Sequence, residues 1–166
     1  MSKLQEYEER ILTAQLFQSY EDKLYAYQFT KPNSFKGYDG IYQITPRDAS
    51  VVFETKVRDI KIDQYPDYIM EARKLNSLTI RHNKGHQTKY FNFFKHPGGA
   101  YDFIGFDITT RIEEWKEIGF KGVVEVRWMN HETFKSRKDK VPKEVIMLTF
   151  RPEIDTKIEG GNFKNR

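Results

Sequence analysis

Apolar residues recur with two different periods along this chain, and the switches between them mark the elements. Leu4, Tyr7, Ile11 and Ala14 fall on one face at helical spacing with Glu9 opposite, which predicts an amphipathic helix over residues 3–20. Short aromatic and β-branched runs then predict strands at residues 24–30, 36–45 and 50–57, separated by turn residues at Lys31-Pro32-Asn33-Ser34 and Pro46-Arg47-Asp48-Ala49. Pro66 fits the first turn of a second helix, with Asp63 as its N-cap. Tyr68, Ile69, Ala72, Leu75 and Leu78 carry that helix's apolar face to about Ile80, and Asn83-Lys84-Gly85 closes it. Strands follow at residues 88–95 and 100–108, a helix at 109–118, and strands at 123–128 and 144–150; from about Glu159 the chain reads as frayed. Helix, three strands, helix, strand and then further strands is the order of a mixed sheet with helices packed on it.

Composition narrows the class. The length of 166 residues suits a single domain, 1–166. A 15% aromatic share points to a core built from Phe and Tyr. No cysteine is present, which excludes a disulfide framework, thiolate zinc sites and Cys nucleophiles. The longest aliphatic run, Val145-Ile146-Met147-Leu148, is far too short to span a bilayer, and the acidic start does not resemble a signal peptide. These features predict a soluble, cytoplasmic protein with no membrane partner.

The net charge of +4 is concentrated late in the chain. The stretch 135–143 holds five basic residues against one acid: Lys135, Arg137, Lys138, Lys140 and Lys143 against Asp139. Such a cluster could grip a phosphate backbone or form a solvated loop between strands.

The candidate chemistry lies in the second and third strands. Asp39 stands in the run Gly37-Tyr38-Asp39-Gly40; Glu54 and Lys56, two apart in the next strand, leave it on the same face. If the two strands pair as a hairpin, the Asp39 and Glu54 carboxylates meet, offering hard oxygen ligands of the kind Mg²⁺ prefers, with Lys56 beside them to serve a water or a charged phosphate. Four other acid-x-Lys triplets occur, but Glu54 alone follows so apolar a stretch as Val51-Val52-Phe53, where a charge is costly without a partner. The opposing interpretation is the polar face of an exposed strand. His82 and His86 have a zinc-compatible spacing but no third ligand nearby, and neither a phosphate-binding Gly-rich loop nor a Gly-x-Ser-x-Gly elbow exists. The aromatics of the strands at 88–108 read as core, with base stacking as the alternative.

Asp39 followed by Glu54-Thr55-Lys56, in this order of elements, resembles the PD-(D/E)XK nuclease superfamily over residues 3–95. The resemblance implies a restriction-endonuclease-like α/β fold, with a mixed central sheet flanked by helices in the core order αβββαβ and extra C-terminal strands. Its core would span about 3–108 and a particular extension 109–158. It implies a nuclease that cleaves nucleic-acid phosphodiesters, DNA more than RNA, with Asp39 and Glu54 holding Mg²⁺ or Mn²⁺ and Lys56 assisting the water. Tyr38 replaces the family's Pro. Many members add a Glu from the first helix as a metal ligand; Glu8, at the edge of the apolar face, is the candidate, since Glu9 points away from that face. Arg73, Lys74, Arg81 and Lys84, on or just beyond the helix after the third strand, are candidate phosphate contacts, and Gln64 and Tyr65 before it are candidate substrate contacts. The family also leaves a homodimer open. Two rivals remain: a binding or assembly module of the same fold without catalysis, and a β-rich structural protein in which the triad is coincidental.

Overall fold

The computed structural model describes residues 3–19, 24–31, 36–120, 125–130 and 140–164. Its elements run α1 (Lys3–Gln18), β1 (Ala26–Phe29), β2 (Gly40–Gln43), β3 (Val51–Arg58), β4 (Asp67–Glu71), α2 (Ala72–Asn83), β5 (Gln87–His96), β6 (Ala100–Asp107), α3 (Ile108–Glu117), β7 (Glu125–Asn130), β8 (Lys140–Thr149) and β9 (Thr156–Lys164). Among the described residues, β1-β2-β3-β5-β6-β9 form one sheet and β4-β8-β7 a second. β1, β2 and β3 are an antiparallel meander, and α2 carries the chain across so that β5 pairs with β3 in parallel. The central mixed sheet with flanking helices is therefore present in the expected order, with β4 inserted ahead of α2. The aromatic strands β5 and β6 pack against α1 on one face and against α2, α3 and the second sheet on the other. No helix among the described residues is long and apolar enough to cross a membrane.

Alternation along β3 and β5 divides the core. On one face Val52, Tyr90, Phe94 and Phe106 pack with Leu78 of α2 and Ile146 of β8; on the other Phe53, Phe91 and Phe93 pack with Leu12, Leu16 and Phe17 of α1. Phe53 and Phe91 stack with centroids 5.2 Å apart, a pairing that adds about 0.5–1.5 kcal/mol to the burial of their area.

Three expectations fail for identifiable reasons. The helical pattern from Pro66 begins instead as strand β4, in which Tyr68 and Met70 alternate inward against β8; α2 starts only at Ala72. A short apolar run satisfies both periods, and the partner strand decides. Asp63 is no N-cap: it sits in the left-handed region with φ 59° and accepts a 2.8 Å hydrogen bond from the Tyr68 hydroxyl. The stretch expected to fray continues as β9, with Phe163 buried against Phe93 and Phe103. Gly160 and Gly161 let it bulge past Asp102, whose carboxylate accepts the Gly161 N–H at 2.8 Å. A Cβ on Gly161 would lie 2.6 Å from the His96 ring.

A fourth correction concerns α1. Leu4 and Tyr7 are 69% and 60% exposed, and the buried face is Gln5, Glu9, Leu12, Thr13, Leu16 and Phe17. The buried stripe is half polar, so apolar periodicity selects the wrong side.

Candidate active site

The site grows from an unpaired strand edge. Among the described residues β2 pairs with β3 only from Tyr42↔Val51 to Gly40↔Phe53, and no strand covers that side of β3 beyond Phe53. Buried backbone donors need partners, and carboxylates supply them. The Asp39 N–H donates to the Phe53 carbonyl at 2.9 Å, and Asp39 Oδ2 accepts the Thr55 N–H at 2.6 Å. Glu9 of α1 reaches the Val57 N–H, with Oε1 at 3.5 Å. Gly40 makes the approach possible: a Cβ there would lie 2.4 Å from Phe53 and 2.7 Å from the Gln28 carbonyl. Thr13 steadies α1 against β3 through a 3.1 Å contact between its hydroxyl and that of Thr55.

Glu54 leaves β3 on the other face, toward α2, and is only 4% exposed. Its Oε1 is paired with the ammonium of Lys74, while Oε2 is buried with no hydrogen-bond partner. The Lys56 ammonium lies 3.9 Å from Glu9 Oε1. Burial dominates the electrostatics. It pushes the Glu54 carboxyl up to about 8, with repulsion from Asp39 and Glu9 adding and Lys74 opposing. Glu9 is raised to about 7, again chiefly by burial, with Lys56 opposing and Asp39 reinforcing. Asp39 is also raised by burial, against the Thr55 N–H, Lys74 and Lys56. Three carboxylates thus share one poorly solvated region and repel one another, a setting that favours capture of a proton or a cation.

The structure brings Asp39, Glu54 and Lys56 together. It does not bring Glu8 to them: Glu8 accepts a hydrogen bond from the Tyr101 hydroxyl, and Glu9, the residue expected to point away, takes the place beside Asp39. Lys74 stands on Glu54 instead of facing outward as a simple surface base. Arg81 lies over the Tyr38 ring at 4.9 Å, and Lys140 is exposed at the start of β8 opposite Asn130. Lys135, Arg137 and Lys138 fall outside the described residues. Glu9 had a legible signal, since Gln5, Glu9 and Thr13 form a polar line at i, i+4, i+8 beside Leu12 and Leu16.

Two observations test whether a divalent cation fits here. Among the described residues no three acidic or histidine side chains converge as a ready cage. Yet Glu54 Oε2 is an orphaned oxygen, and the mutual repulsion with Asp39 and Glu9 is of the kind a cation relieves. The donor set is all oxygen, which suits Mg²⁺ or Mn²⁺. Lys56 and Lys74 also line a cleft of about 690 Å³ that opens between β3, α2 and the second sheet.

No family model matches this sequence, and no curated protein matches it. Among solved structures the chain is similar to Hjc, a Holliday junction resolvase from the archaeal hyperthermophile Archaeoglobus fulgidus, with 17% identity over 61% of this chain and 72% of that one and a TM-score of 0.40.

Proposed function

We propose that this protein is a metal-dependent nuclease that hydrolyses phosphodiester bonds of nucleic acid, DNA in preference to RNA. The observation that carries this reading is the edge of β3, where Asp39 holds the Thr55 N–H, Glu54 pairs with Lys74 and Glu9 stands beside Lys56, and the two lysines line a basic cleft. Asp39, Glu54 and Glu9 would hold Mg²⁺ or Mn²⁺, which when bound supplies Lewis acidity toward phosphate and makes water a better nucleophile at neutral pH. Lys56, projecting to the cleft, holds a water by donating to it and stabilises charge that builds on the phosphate. Lys74 keeps Glu54 from carrying an uncompensated charge until a cation replaces it. Glu54 is almost inaccessible from outside, so bulk water is kept from its carboxylate.

One observation favours the alternative of a binding module: the Lys74 ammonium already neutralises Glu54. Cleavage decides between them. Of plasmid and single-stranded DNA incubated with Mn²⁺, at least one should be cut by the wild type, and the activity should fall at least a hundredfold in both Glu54→Ala and Lys56→Ala. Equal cleavage by all three would place the activity elsewhere, and no cleavage by any would leave the binding module.

A further inference from the structure

We infer that the cleft takes one unpaired nucleic-acid strand and not a duplex. The inference builds on the nuclease reading by naming its substrate, but it stands on the cleft's own shape and chemistry.

Size comes first. At about 690 Å³ the cleft falls among pockets that enclose small ligands (~300–1,000 Å³), with room for roughly one or two nucleotides. Depth agrees. Glu54, 4% exposed, is paired with Lys74 of the cleft wall, and Glu9 Oε1 stands 3.9 Å from the Lys56 ammonium. A duplex resting on the rim keeps its phosphates outside, whereas a single strand can enter and lay a phosphate against both lysines.

The walls complete the argument. Lys56, Arg58, Arg73 and Lys74 line one side and Arg127 and Lys143 the other, against the acids Asp59, Asp67 and Glu71. Lys143 and Arg73 pair with Glu71, and Arg127 with Glu125, so the walls are positive yet internally buffered. Between these charges the lining is apolar, from Ile69, Met129 and Met147. A duplex hides its base faces and has no use for such surface; an unpaired strand shows phosphates and base faces together. Tyr65, also on the cleft, is 55% exposed, and its hydroxyl accepts from Gln64 Nε2 at 3.3 Å, leaving the ring available as a stacking platform. Arg58 is pre-positioned by hydrogen bonds to Asn92 Oδ1 at 2.9 Å and the Tyr90 hydroxyl at 2.6 Å.

The test is fluorescence anisotropy in EDTA, which removes cleavage from the measurement. The probes are a labelled twelve-nucleotide single-stranded DNA, the same sequence as RNA, and the blunt DNA duplex. The wild type should bind a single strand at least tenfold more tightly than the duplex, and the RNA arm tells which sugar is preferred. Tyr65→Ala should weaken single-strand binding about five- to hundredfold, and Arg127→Glu at least tenfold. Lys116→Glu, on α3 and outside the cleft lining, serves as the control and should retain affinity. Both cleft residues are well exposed, so unchanged melting temperatures should accompany the losses. Equal or tighter duplex binding, single-strand affinity unchanged in both cleft variants, or no binding to any probe overturns the inference. The nuclease reading falls separately, through absent Mn²⁺-dependent cleavage.

Discussion

Two of the regions that bury charge do it in opposite ways. In the first turn of α3, Arg111 forms a closed system with Asp155. Both guanidinium nitrogens Nη1 and Nη2 bond the Asp155 carboxylate at 2.7 Å and donate onward to the carbonyls of Asp107 and Thr149 at 2.8 Å; the N–H groups of Asp107 and Arg151 supply the carboxylate's remaining partners. At the edge of β3 the balance is left open. Asp39, Glu9 and Glu54 repel one another, and one Glu54 oxygen has no partner. A fully satisfied buried pair locks strands together, while an unsatisfied one holds a free-energy gradient that a bound cation can discharge.

Breaking the closed pair should give the largest effect. Arg111→Met leaves Asp155 charged and buried, and a loss of about 3–5 kcal/mol in urea unfolding is expected. A loss below 1 kcal/mol would mean that the two regions are energetically alike.

The open cluster should show itself through pH instead. Folded Glu54 keeps its proton to about pH 8, against an ordinary 4.5, and Glu9 to about 7. The folded state therefore binds more protons than the unfolded chain between about 4.5 and 8, so stability must fall as pH rises through that window. Without metal, a clear decline in urea-unfolding stability between pH 5 and pH 8.5 is expected in the wild type. Glu54→Gln should flatten most of it, and an equally steep decline in that variant would assign the protons elsewhere.

The smallest effect separates neighbouring residues on α1. Mn²⁺ should raise the melting temperature of the wild type by a few degrees. Glu9→Gln should reduce that rise, while Glu8→Gln should leave it intact. The reverse order would return the ligand role to Glu8.

Local chemistry was readable wherever one residue type has one meaning. Val51-Val52-Phe53 before Glu54 announced both a buried strand and a charge in need of a partner, and Asp39 was legible as its companion on the strand before. What escaped were positions that invert the usual pattern. Gln5, Glu9 and Thr13 turn polar atoms inward, so the helix looked as if its apolar side were Leu4 and Tyr7. β4 escaped because its five residues fit either period, and only its pairing with β8, some 75 residues later, selects the strand. β9 escaped because Gly160 and Gly161 read as an ending when they are a bulge.

That last strand also sets an order of events. The Lys164 N–H donates to Gln15 Oε1 at 2.9 Å across a separation of 149 residues, so the helix that presents Glu9 is fastened by β9. On the ribosome Glu9 emerges among the first residues and its fastening among the last described. A nascent chain therefore carries Glu9, Asp39 and Glu54 long before it carries the strand that fastens α1.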